Sequence, residues 1–240
     1  SSGNNNPNQI NSITETFNIP LNPINNPNGP QNTELGTVGV ALNGIPIYNP
    51  FEDPNNTSAY GNIFSSCCGH PQPEGIYHYH KYPTCLKLLN LTWKSEKDKC
   101  DEIDNLVTIN GHSPLIGFAN DGYPIYGPVG YFNSNSIILR SSYTGSNDVA
   151  GNPEYIINSG DLDECNGINS STPEFPNGIY HYVMTIKSIN NNGINVERYI
   201  NPYFGYDIRN TLNKHSLMPI TWNNDSNYFN DLLNGFTLSY

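Results

Sequence analysis

From Gly36 onward the apolar residues of this chain come in short runs cut by turn residues, as in GTVGVALNGIPIY, LIGFANDGYPIYG and GIYHYVMTI. Runs of roughly four to seven residues bounded by NG, DG and NP predict strands closed by tight turns. Two stretches depart from this pattern. Charge concentrates in LKLLNLTWKSEKDKC, which predicts a helix near Cys85–Cys100, and Asn227–Leu233 predicts a second, short one. The expected fold is mainly β, with long ordered loops and few short helices.

Residues 1–35 are of another kind, dominated by Asn, Pro, Gly and Thr with scattered Ile, Leu and Phe. Their prolines forbid a helix, and so little apolar surface buries poorly. They read either as a disordered arm or as an arm lying extended along another subunit, even as an added strand. Phe17, Ile19 and Leu21 alternate and would share one face in an extended chain. The expected division is an Asn/Pro-rich extended arm over 1–35 and a β domain over 36–240.

The domain contains an internal echo. LNGIPIYNP at Leu42–Pro50 matches NDGYPIYGP at Asn120–Pro128, and EGIYHYH at Glu74–His80 matches NGIYHYV at Asn177–Val183. The order is kept while the intervening lengths differ, which predicts two related β halves packed as one unit.

Composition narrows the partners. With 21 acidic and 10 basic residues the formal charge is −11, and no basic run interrupts it. Nucleic acid and anionic membranes need clustered Lys and Arg, so neither is expected as a partner. No window is apolar enough for a transmembrane helix, and the first residues, SSGNNNPNQ, read as a mature terminus after processing. Only 13% of residues are charged, and Asn takes over the polar role. Five N-x-S/T sequons, at Asn55, Asn56, Asn90, Asn169 and Asn224, make N-linked glycans an expectation, although an Asn-rich chain also makes sequons by chance. Cys67, Cys68, Cys85, Cys100 and Cys165 fit no zinc-ribbon or thioredoxin spacing and read as disulfide candidates. Their odd number leaves at least one thiol unpaired or bonded to another chain. Together these features predict a secreted, extracellular glycoprotein.

The chemistry-bearing residues are histidines set among tyrosines. In a strand through GIYHYH, His78 and His80 project from one face and Tyr77 and Tyr79 from the other, with the His pair roughly 6.5 Å apart along the backbone. His70 precedes that strand by a Pro-rich turn and can fold back onto the same face. His181 takes the place of His78 in the second copy, and His112 sits in NGHSP just before the second hairpin. One histidine among tyrosines is most often a hydrogen-bonded core residue. Five of six within recurring motifs point instead to a metal site of His70, His78, His80, His112 and His181, expected as one composite site between the halves. Copper is the expected ion, because imidazole suits it and binding strength peaks at Cu(II); zinc is the alternative. Calcium is the other, through Asp161, Asp163 and Glu164, but SGDLDECNG lacks EF-hand spacing and reads better as a polar turn.

CGHPQPEGIYHYH followed by PTCL, then HSPLIGFANDGYPIYG, LDECNG and TPEFPNGIYHY, resemble the YHYH-domain family over roughly residues 36–208. The resemblance implies the fold and an extracytoplasmic setting more than an activity. The second copy departs from it, with Val183 where a second histidine would stand. No G-x-S-x-G elbow or HExxH helix is present. The expected function is a secreted, glycosylated structural protein with a histidine metal site. It is expected to self-assemble as a homo-oligomer or filament through its N-terminal arm. A copper-dependent extracellular redox enzyme is the alternative.

Overall fold

The computed structural model describes residues 6–30, 33, 35–49, 51–52, 64–65, 67–83, 86, 108–144 and 154–185. Among them the protein is mainly β and contains no helix. The two expected helices, with Cys85 and Cys100, lie outside the described residues.

Eight strands form one mixed sheet whose order repeats the echo seen in the sequence. In the first half β1 (Thr37–Ala41) pairs antiparallel with β2 (Pro46–Tyr48). β2 then pairs parallel with β4 (Tyr77–Tyr79), which pairs antiparallel with the edge strand β3 (Gly69–Pro71). The second half has the same scheme: β5 (Leu115–Ala119) with β6 (Pro124–Tyr126), β6 parallel to β12 (Ile179–Val183), and β12 antiparallel to the edge strand β11 (Gly167–Ser170). β1 and β5 join the halves antiparallel, giving the order β11-β12-β6-β5-β1-β2-β4-β3. Read from the central β1–β5 seam outward, the two halves are alike, as a local two-fold axis requires. Two hairpin-like pairs, β7 (Val129–Phe132) with β8 (Asn135–Ile138) and β9 (Tyr143–Thr144) with β10 (Glu154–Tyr155), stand apart from this sheet.

The local chemistry is duplicated with the strands. Each hairpin turns on an Asx contact that bends the backbone before a glycine at positive φ. Asn43 accepts the Ile45 N–H at 3.3 Å beside Gly44 (φ 81°), and Asp121 accepts the Tyr123 N–H at 3.1 Å beside Gly122 (φ 92°). Each turn residue also reaches a tyrosine of its own half: Asn43 donates to the Tyr79 hydroxyl, and the Tyr182 hydroxyl donates to Asp121. Before each edge strand, Ser65 and Asp163 occupy matching positions. Ser65 bonds the Cys67 N–H and the Tyr77 hydroxyl, and Asp163 bonds the Cys165 N–H and the Tyr180 hydroxyl. Cys67 and Cys68 are disulfide-bonded, whereas Cys165 remains a buried thiol.

The two faces of the sheet differ in content. Tyr79, Tyr123 and Tyr182 lie in the main core with Ile47, Ile116, Ile125 and Ala41. Val183 lies in a smaller cluster with Leu139 and Leu162, against which Ile168, Phe132 and Ile137 pack. The arm runs over its own domain as extended coil. Asn11 bonds backbone-to-backbone with Gly75 at 3.0 Å, Asn8 donates to the Pro71 carbonyl, and Asn25 accepts the Tyr123 hydroxyl. Ile19 is buried, Phe17 is half-buried and Leu21 is exposed, so the expected common face is only partly used.

Candidate metal centre

The β3–β4 hairpin builds the site. Its register sets His70 directly opposite His78, and one pleat further on His80 emerges on the same face. All three rings are buried, between 2% and 4% exposed, and one ligand nitrogen from each lies within 4.8 Å of the others. Tyr48 of β2 stacks on His78 with centroids 4.0 Å apart, and Phe64 covers His70 at 4.9 Å. Lys81 places its ammonium 4.4 Å from the centre of the Phe64 ring.

The hydrogen bonds fix which nitrogen each ring presents. His78 donates Nδ1–H to the Ile76 carbonyl at 3.0 Å, and His80 donates Nδ1–H to the Asn49 carbonyl. Neutral imidazole carries one proton, so both Nε2 atoms are bare lone pairs, and they face each other at 3.0 Å. Glu52 adds an acceptor to the same spot, with Oε1 3.2 Å from His80 Nε2 and 3.4 Å from His70 Nε2. Acceptors facing one another in a buried place repel unless a cation lies among them. Burial pushes the His78 imidazole down to about 3, reinforced by His80 and His70 and opposed in part by the Ile76 carbonyl. Burial alone would raise the Glu52 carboxyl, but a proton on Nε2 of His70 or His80 donated to it outweighs that and holds it well below the usual carboxylate range, so a proton competes with a metal ion for this spot.

The distances suit a first-row ion. Four ligands at about 2.0–2.1 Å in a tetrahedron stand about 3.3 Å from one another. Three of the pairs fall near this, His78–His80 at 3.0 Å and Glu52 with His80 and His70 at 3.2 and 3.4 Å. Imidazoles on such an ion have ring centroids about 5.1 Å apart. Here they are 4.5, 4.7 and 5.1 Å apart. The three imidazoles form the donor group, with Glu52 beside His70 and His80, and the His78 and His80 rings are held by backbone carbonyls, as metal-ligating imidazoles usually are.

His112 and His181 do not join this group. Strands β2, β1, β5 and β6 stand between β4, which carries His78, and β12, which carries His181. The expected single composite site is thus two separate groups, because the halves meet through β1 and β5 rather than through their histidine strands. The local two-fold explains the difference in content. His181 corresponds to His78, but Ile168 stands opposite His181 as His70 stands opposite His78, and Val183 takes the place of His80. Both of those apolar residues belong to the small cluster with Leu139 and Leu162.

Spacing gave no sign of Glu52, which lies four residues beyond Tyr48 after the first hairpin. Its only sequence signal is that it follows the PIYNP element whose strand pairs with β4. The acidic turn holds its own contacts. Asp161 makes a fork with Arg140 at 2.9 and 3.0 Å, and Asp163 accepts the Cys165 and Gly167 N–H groups. This is the polar turn that the missing EF-hand spacing favoured. Of the sequon asparagines only Asn169 is described, and it is exposed on β11.

Fold and site together define a two-fold-repeated β protein with a buried histidine–carboxylate site in one half. The family model described as YHYH protein matches residues 16–191, and the chain belongs to that family. The match takes in the second part of the arm. Comparison with curated proteins and with solved structures returned no match.

Proposed function

We propose that this protein is a metal-binding extracellular structural module in which His70, His78, His80 and Glu52 hold one transition-metal ion that fastens the β3–β4 edge to the loop after β2. The observation that carries this reading is the 3.0 Å approach of two Nε2 lone pairs beside a carboxylate in a buried place. Copper is the ion favoured by affinity, with zinc as the alternative. Calcium, which takes oxygen ligands, suits neither this site nor the acidic turn.

With Glu52 joining the three imidazoles, four protein donors would leave no position for a substrate, which is the pattern of a structural site. Disulfide bonding of Cys67 and Cys68 fits an oxidising, extracellular compartment, and exposed Asn169 is open to glycosylation. Self-assembly through the arm belongs to the same proposal: the strap formed by residues 6–30 would be exchanged between neighbouring chains. A redox enzyme is the second reading, favoured by one observation. Glu52 is the partly exposed donor, with 27% of its side chain open, and its departure would free a coordination position near Tyr48.

Stripping the protein with chelator and reloading it tests the fastening. An ion present at a hundred times its dissociation constant stabilises by about 2.7 kcal/mol, which raises the melting temperature by several degrees. The rise is expected with zinc or cuprous copper, and the zinc rise should vanish in His80→Val, which copies the second half. An equal zinc rise in that variant contradicts the proposal.

A further inference from the structure

The second half contains a pair of imidazoles that the site above does not use. His112 and His181 are both fully buried, and their ring centroids are 5.7 Å apart. His181 donates Nδ1–H to the Ile179 carbonyl at 3.0 Å, the same contact that His78 makes with Ile76 in the first half. His112 donates Nδ1–H to the Ser113 carbonyl at 2.7 Å. Each ring has thereby spent its proton, and each Nε2 is a buried lone pair without a hydrogen-bond partner among the described residues. A buried polar atom left this way is costly, and the cost is doubled here within one small volume.

His112 is also held firmly in place. It closes a tight turn with Ile109, through Asn110 and Gly111 at positive φ (50° and 83°). The Tyr131 and Ser136 hydroxyls donate to the carbonyls of those two turn residues. Tyr126 packs edge-on against both imidazoles, at 4.9 and 5.1 Å, and its hydroxyl is directed to Thr172 and Glu174 instead. The pair is therefore held in place and flanked by aromatic surface.

We infer that His112 and His181 form a second, two-coordinate metal site that takes a soft monovalent d10 cation, cuprous copper, between their Nε2 atoms. Two imidazoles on one ion have centroids about 5.1 Å apart at a tetrahedral angle and about 6 Å apart when opposed in a line. The separation of 5.7 Å lies toward the linear end, where cuprous copper with two nitrogen ligands is stable. Among the described residues no carboxylate contacts either Nε2, Glu174 acting on His112 at longer range from the Tyr126 hydroxyl, and burying a divalent ion against two neutral ligands costs far more than burying a monovalent one. The site holds its ion by donors independent of the His70 group, so either can exist without the other.

The test uses the full chain carrying His70→Ala, His78→Ala and His80→Ala, titrated with Cu(I) under ascorbate against bicinchoninate as competitor. One equivalent should still bind. It should be lost on adding His181→Phe or His112→Gln, and kept on adding Cys165→Ser, which removes the buried thiol as a rival ligand. Absence of binding in the triple variant overturns the site. So does binding that survives either histidine change or disappears with Cys165→Ser. Should the histidine variants fail to fold, imidazole 15N shifts of the triple variant decide. Both rings should begin as Nδ1–H tautomers, and both Nε2 signals should move on adding Cu(I). Unmoved signals mean that a buried water satisfies the pair, and the inference fails. Failure of the His70 site shows separately, as wild-type protein binding no more copper than the triple variant.

Discussion

Replacing Gly117 with alanine should damage the seam between the halves more than any other single methyl addition on β1 or β5. A Cβ at Gly117 would lie 2.1 Å from the Val40 carbonyl oxygen and 2.8 Å from Ala41 Cα. Both are backbone atoms of the partner strand, and for the carbonyl oxygen ordinary contact begins more than an ångström further out. No rotamer change relieves this, so β1 and β5 must separate locally. About two ladder hydrogen bonds would weaken, at about 1 kcal/mol each, with a further 1–3 kcal/mol for overpacking. The expected cost is about 3–5 kcal/mol, out of a total of roughly 5–15 kcal/mol for a natural domain. At this chain length that corresponds to a melting temperature lower by roughly 10 °C. Gly39, its counterpart across the local two-fold, would bring a Cβ 2.7 Å from the Phe118 oxygen and 3.1 Å from the movable Ile125 Cδ1. Its replacement should cost about 1–2 kcal/mol. Urea and thermal unfolding of both variants, with chelator present so that no ion contributes, measure the difference. Gly117→Ala within about 0.5 kcal/mol of wild type, or Gly39→Ala the costlier change, would refute the β1–β5 register and with it the seam.

Other outcomes follow from the same contacts. Glu52→Gln keeps the shape but removes the charge facing His70 and His80, so zinc or copper affinity should fall at least tenfold by competition titration, and an unchanged value would exclude Glu52 as a ligand. Asp161 has its carboxyl lowered first by the Arg140 hydrogen bonds, so the pair stabilises above the ordinary carboxylate range and this contribution is lost as pH falls through the lowered value. Because Arg140 is two-thirds exposed, Asp161→Asn should cost no more than about 1 kcal/mol at neutral pH and flatten the acid limb of the stability profile; an identical limb contradicts the assignment. Deleting residues 1–35 should abolish any self-assembly seen by size-exclusion chromatography with light scattering, and assembly that persists would remove the arm from the proposal.

Much of this was legible in the residues, and what was not has definite physical reasons. The repeated G-x-P-I-Y and G-I-Y-H-Y elements gave the hairpins, the mainly β class and the two related halves, because turn chemistry and period-two alternation are local properties. Alternation also put His78 and His80 on one face, and the Pro-rich turn after His70 allowed it to meet them. The seam was not legible, since nothing in LIGFA or TVGVA says that these strands pair with each other, and the grouping of His112 and His181 apart from the triad depends on that seam. Glu52 was hidden because it reaches the site through tertiary placement after β2. Ile168 looked like an ordinary strand residue until the register showed it in the position of His70. The loss of ligands in the second half was visible only at Val183.

The account turns on an ion held by His70, His78, His80 and Glu52. Elemental analysis of the full chain purified without added metal or chelator, combined with X-ray absorption at the edge of the metal found, tests this directly. The account predicts copper or zinc retained in the wild-type protein, with a shell of nitrogen and oxygen neighbours at about 2.0–2.1 Å and no sulfur. That shell should be lost on replacing His78 and His80 with alanine. A wild-type protein free of transition metal that also refuses copper and zinc on titration would contradict it, as would metal content unchanged by the double replacement.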